Sequence, residues 1–163
     1  MGPTEGVIRE MDYLAEAIQL AVQNVKEGGR PFASVIVQRG QILATGVNLS
    51  AQSKDPTAHA EILAIRAASQ VLQSESLRGC ALYTTCEPCP MCLGALYWAE
   101  LDRVIFAVGG DEAARFYPGE RRYHRAADLY AQYALPFAQR RLPMQLERRE
   151  EGVQLFQRWK DLN

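Results

Sequence analysis

The stretch Thr85-Cys86-Glu87-Pro88-Cys89-Pro90-Met91-Cys92-Leu93-Gly94-Ala95-Leu96-Tyr97-Trp98-Ala99 decides the reading, together with the earlier Asp55-Pro56-Thr57-Ala58-His59-Ala60-Glu61. His59, Cys89 and Cys92 supply one imidazole and two thiolates, a ligand set that zinc favours. Three protein ligands leave the fourth tetrahedral position to water. Pro90 suits the first turn of a helix running to about Ala99, which puts Cys89 at that helix's start. Thr57 is a candidate N-cap for a helix from Ala58 to about Leu72. Within a helix, side chains at i and i+2 diverge by about 200°. At a helix N-terminus both can border one pocket, with His59 on the metal and Glu61 beside the water. Both metal-binding elements then sit at helix N-termini, where the positive ends favour thiolate over thiol.

Working outward, the apolar residues Met11, Leu14, Ala15, Ile18, Ala21, Val22 and Val25 recur at helical spacing. They predict an amphipathic helix from about Val7 to Glu27, stopped by Gly28-Gly29. Phe32 to Gln38 is rich in β-branched residues and reads as a strand. Arg39-Gly40 turns the chain, and Gln41 to Asn48 returns as a second strand. Leu49 to Thr57 reads as a loop. Cys80 to Thr85 is a third strand and Arg103 to Val108 a fourth. Alternating strands and helices imply a layered α/β sheet with helices on both faces. Beyond it, Asp111 to Phe116 reads as a short helix and Tyr117-Pro118-Gly119 as a turn. Arg122 to Ala134 reads as another helix. Leu142 to Leu146 reads as an edge strand, where Pro143 is tolerated. Val153, Phe156 and Trp159 share one face of a last helix.

A chain of 163 residues is expected to form one domain with no need of disulfides. A net charge of −1 argues against a general polyanion-binding surface. Of the four cysteines, Cys89 and Cys92 belong to the metal site, Cys80 lies in an apolar run, and Cys86 is expected to be structural. No signal-peptide pattern precedes the first helix and no apolar run approaches a membrane span, so a reducing cytoplasm is expected.

The spacing agrees with the H-x-E…P-C-x-x-C signature of zinc deaminases acting on bases and nucleosides. The two quoted stretches resemble the cytidine-deaminase-like superfamily, and within it the small bacterial guanine deaminases. That resemblance implies an α/β fold, a three-layer α/β/α sandwich with a five-stranded mixed sheet. It also implies one zinc per chain, guanine converted to xanthine, and a homodimer, in some relatives by exchange of C-terminal segments. Zinc so held activates water, and Glu61 would move its proton to a ring nitrogen of the substrate and help the amine leave.

The resemblance assigns further contacts to Asn48, to the Ala60 backbone N–H, to Phe32 and to Trp98. Their bland readings are a turn residue for Asn48 and core aromatics for Phe32 and Trp98. A second carboxylate, counted forward from Cys92, falls on Glu120, with Asp128 next if the register slips. A surface ion pair with Arg121 and Arg122 is the competing reading of Glu120. The chain departs from the pattern between Tyr117 and Ala138, which is long, and at Lys160-Asp161-Leu162-Asn163, which lacks a terminal aromatic.

Other readings share these residues. Cytosine or a triazine as substrate would need the same chemistry in a different pocket. A tRNA adenosine deaminase would need basic surface for phosphates. Arg140, Arg141, Arg148 and Arg149 keep that reading open, although such charges also suit a solvated face. A closed structural zinc site would need a fourth ligand, with His124 the one other histidine, and would leave Glu61 idle.

Overall fold

A computed structural model describes residues 11–117 and 125–163. They belong to two units, Met1–Glu120 and Arg121–Asn163. The first unit carries α1 (Tyr13–Lys26), β1 (Ala33–Gln38), β2 (Gln41–Val47), α2 (Ser50–Ser53), α3 (Ala60–Leu72), β3 (Cys80–Cys86), α4 (Pro90–Trp98), β4 (Arg103–Val108) and α5 (Gly110–Ala113). The second carries α6 (Ala126–Ala134), a 3₁₀ turn at Phe137–Gln139 and α7 (Glu150–Leu162).

The sheet runs in the order β2-β1-β3-β4. β1 pairs antiparallel with β2 and β3, and β3 pairs parallel with β4. The β1–β2 hairpin turns at Arg39 and Gly40, both at positive φ (49° and 75°), which matches the right-handed strand twist. Alternation along β1 divides the core. Ile36 packs with Ala64, Ala68, Leu82 and Leu96 on one face, against α3 and α4. Val35 and Val37 pack with Ala17 of α1 on the other. Helices therefore cover both faces, as period-two alternation in a buried strand requires.

Four strands are described, not five. Leu142 to Leu146 forms no strand: Pro143 has no N–H to donate, and the backbone from 143 to 149 has no regular structure. The helix expected from Ala58 begins at Ala60, and its N-cap is His59 rather than Thr57. Thr57 is engaged elsewhere, since both its N–H and its hydroxyl donate to the Asp55 carboxylate (2.8 and 2.7 Å). The stretch read as a loop contains α2. The short helix expected at Asp111 begins at Gly110 and ends at Ala113.

Gly46 of β2 fixes how closely α3 approaches the sheet. A Cβ there would overlap the Ala60 carbonyl oxygen and lie 2.6 Å from Ala64 N. Glycine inside a strand marks such a close backbone approach.

Candidate active site

Two helix starts build the site. The loop before α3 is stitched by backbone bonds from Ala58 to Asp55 (3.2 Å), from His59 to Thr57 (2.8 Å) and from Leu49 to Ala58 (3.0 Å). The Asp55 carboxylate is held below its usual range by the Thr57 hydroxyl and then by the Thr57 N–H. His59 caps α3 with its backbone, and its side chain makes no capping bond. Cys89 caps α4 in the same way, with Pro90 in the first turn. Glu87, between β3 and Cys89, donates its N–H to Val108 of β4 (2.8 Å), which ties the cysteine loop to the sheet.

His59 Nδ1 lies 3.6 Å from Cys89 Sγ and 3.5 Å from Cys92 Sγ. A tetrahedral zinc with ordinary Zn–S and Zn–N bonds places its nitrogen and sulfur ligands about 3.6 Å apart. The three donor atoms all lie within 4.8 Å of one another. The two nitrogen–sulfur spacings therefore fit the ion, and imidazole with two thiolates is chemistry suited to it.

Taken as protein groups alone, the two thiols behave oppositely. Cys89 is pulled down to about 4, first by its hydrogen bond with Cys92 and also by His59, against the effect of burial. Cys92 is pushed up, because the neighbouring sulfur already carries the charge and the site is buried. The bond with Cys89 raises the His59 pKa, with burial opposing it. All four cysteines are free.

Glu61, in the first turn of α3, is 7% exposed. Burial pushes its carboxyl above the ordinary range, and hydrogen bonds to its own N–H and to Cys92 work the other way. A carboxyl held this way exchanges protons nearer to neutrality.

The other expected site residues fall out as follows. Ala60 is fully buried and opens α3, where an N–H has no intrahelical partner. Asn48 follows β2, is 3% exposed, and its Oδ1 accepts from Ser50 N (3.0 Å). Phe32 packs edge-on against Tyr117, with ring centroids 5.1 Å apart at 83°. That contact gives Tyr117 a place that its reading as a turn residue did not anticipate. Trp98 is not brought to the cluster. It ends the helix that Cys89 begins, about 13 Å away along the axis, and it is 91% exposed. It borders an open groove with Ile65, Ser69, Gln70 and Gln73. Asp128 is half-buried in the first turn of α6. Glu120 and His124 lie outside the described residues.

This fold, with zinc ligands at two helix starts and a buried carboxylate beside them, defines a class of hydrolytic deaminases. Residues 8–108 match the model of the cytidine and deoxycytidylate deaminase zinc-binding region, and the chain belongs to that family. It is a zinc-dependent deaminase. Over most of its length it is similar to guanine deaminase of Bacillus subtilis, at 41% identity over 150 residues, covering 91% of this chain and 92% of that one. The solved structure of that guanine deaminase superposes with a TM-score of 0.82 at 40% identity, over 93% of this chain and 95% of the other. A guanine deaminase from Nitrosomonas europaea superposes with a TM-score of 0.62 at 28% identity, over 73% and 71% of the two chains. A tRNA-specific adenosine deaminase of Aquifex aeolicus is 41% identical over 95 residues, covering 58% of this chain and 63% of that one.

Proposed function

We propose that the chain, acting as one catalytic domain, deaminates guanine with water to xanthine and ammonia. The observation that carries this reading is the buried Glu61 beside a donor triangle of zinc dimensions. Similarity to a guanine deaminase through the C-terminal unit supports the choice of base. Zinc on His59, Cys89 and Cys92 supplies Lewis acidity and an activated water at neutral pH. Glu61 would take one proton from the attacking water and deliver it to the ring nitrogen beside the amine-bearing carbon as the C–O bond forms. It would then take the proton of the new hydroxyl and hand it to the amine as the C–N bond breaks, releasing ammonia and leaving the carbonyl. The Ala60 N–H, at the positive end of α3, donates to the base. Asn48 offers its Nδ2, since Oδ1 is committed to Ser50, and so selects an acceptor on the substrate edge. Phe32, backed by Tyr117, packs against the ring plane. Glu120 supplies the second carboxylate.

The same reading makes the protein a homodimer. Phe156 and Trp159 of α7 and, in the first unit, Tyr97 and Trp98 of α4 are largely exposed. Apolar surface of that kind suits an interface between copies. Exposed Trp98 reaches a pocket in this reading by meeting a second copy. Four free thiols support a reducing compartment such as the cytoplasm, and no described helix is long and apolar enough to cross a membrane.

Similarity to a tRNA-specific adenosine deaminase favours a second reading, in which adenosine in tRNA is the substrate. It covers a smaller share of this chain, and a net charge of −1 provides little attraction for phosphates. The test is ammonia release by zinc-loaded protein offered guanine, cytosine, adenine, a triazine and a tRNA anticodon stem in separate reactions. Xanthine appearing from guanine alone supports the first reading. Inosine in the anticodon stem, with guanine untouched, would replace it with the second.

A further inference from the structure

We infer that Asn24 of α1, which is no part of the metal cluster, is a positioning residue that sets the direction of the Asn48 side chain by holding the Asn48 main-chain carbonyl. The inference rests on Asn48 being a substrate contact.

Asn24 lies on the buried stripe of α1 with Ala17 and Ala21, and is 2% exposed. A side-chain amide has two N–H donors and one acceptor oxygen, and here each has a partner. Nδ2 donates to the Arg30 carbonyl (2.8 Å) and to the Asn48 carbonyl (2.8 Å). Oδ1 accepts from Gln52 Nε2 of α2 (3.2 Å). The Arg30–Phe32 stretch and Asn48 are also joined through their backbones. Phe32 N–H donates to the Arg30 carbonyl (2.8 Å), and Asn48 N–H donates to the Phe32 carbonyl (3.0 Å). Asn24 thus closes a ring of hydrogen bonds around the peptides of Phe32 and Asn48, the two residues that face the base.

Gly29 shows how tightly this ring is built. A Cβ there would overlap Gln52 Nε2 and lie 2.5 Å from Asn24 Nδ2. The glycine leaves its side-chain volume to the amide pair. No other residue of this size meets the requirement: aspartate has no donors, leucine has no polar atoms, and glutamine is one methylene too long. Holding the Asn48 carbonyl fixes its peptide plane. With Oδ1 already bound to Ser50 N, that also fixes where Nδ2 points.

A purely structural Asn24 would affect melting temperature and leave KM alone. A positioning Asn24 acts on a contact made equally in the ground state and transition state, so its loss raises KM at nearly constant kcat. The experiment measures both constants per bound zinc for guanine, in Asn24→Ala, Gln52→Ala, Asn48→Ala and Asn24→Ala/Asn48→Ala enzymes. We expect KM to rise about tenfold in Asn24→Ala and about threefold in Gln52→Ala, with kcat within about threefold of wild type. Gln52 is exposed, so its variant decides the question if Asn24→Ala does not fold. In the Asn48→Ala background, Asn24→Ala should add no further rise. A further rise there would overturn the route through Asn48, as would unchanged KM in Asn24→Ala or, where that variant does not fold, in Gln52→Ala. If Asn48→Ala itself leaves KM unchanged, the substrate contact fails and this inference falls with it. If Asn48→Ala raises KM and neither Asn24→Ala nor Gln52→Ala does, only this inference falls.

Discussion

Replacing Gly46 by alanine tests how the sheet places the proton-transfer carboxylate. The added methyl would overlap the Ala60 carbonyl oxygen and sit 2.6 Å from Ala64 N and 3.2 Å from Ala64 Cα. These are backbone atoms, which cannot rotate aside as a side-chain tip can. Restoring ordinary contact moves the start of α3 by about 1 Å. Overpacking of this kind costs about 1–3 kcal/mol of stability, or roughly 2–4 °C of Tm per kcal/mol at this chain length. The displaced turn carries Glu61 and is capped by His59. Misplacing a reacting group by about 1 Å costs on the order of 100-fold in rate. Thermal melting, zinc content and kcat/KM for guanine should therefore change together, with activity falling further than zinc occupancy. Gly46→Ala enzyme with wild-type Tm and wild-type kcat/KM would refute the reasoning. A lowered Tm with unchanged activity per zinc would show that the shift stops short of Glu61.

Three more outcomes are expected. Glu61→Gln should keep its zinc and lose about 10²- to 10⁴-fold in kcat, and unchanged turnover would remove Glu61 from proton transfer. In zinc-stripped protein, the Cys89–Cys92 pair should be alkylated with a weaker pH dependence between pH 6 and 8 than an ordinary thiol, because the bond between the two sulfurs and the nearby His59 hold one thiolate below the usual thiol range. A rate climbing tenfold per pH unit, as for an ordinary thiol, would contradict the pairing with Cys92 and His59. If the proposed homodimer forms through α7, Phe156→Asp on its exposed face should weaken self-association in sedimentation by about tenfold or more, and a variant that associates like wild type would exclude that face from the interface.

The parts of the site legible in the sequence were those fixed by local chemistry. His59, Cys89 and Cys92 could be read because metal ligation restricts residue type and because Pro90 announces the helix that Cys89 caps. The strands of the first unit were legible through β-branched runs and the Arg39-Gly40 turn. Less visible was anything that depends on approach between distant segments. Thr57 looked like a cap because its type suits one, and only the fold shows its hydroxyl held by Asp55. Asn24 left a faint signal, a polar residue in register with Ala17 and Ala21 on an apolar stripe. Gly46 left another, a glycine within a strand. Trp98 carried none, since its neighbours in sequence belong to the metal helix while its position at the far end takes it away. The C-terminal unit was read least well because Leu142 to Leu146 has the composition of a strand without a described partner to pair with.

The metal donors His59 and Cys89 also stand where helices ordinarily use serine, threonine or aspartate to hold their first amides. Neither side chain performs that task here. With zinc held by His59, Cys89 and Cys92, the beginnings of α3 and α4 would be fastened to each other instead of each being fastened to itself. Heat resistance then depends on the supply of metal: above the dissociation constant, each tenfold increase in free zinc adds about 1.4 kcal/mol to the folded state. Removing the metal would then lower the folded fraction as well as the activity.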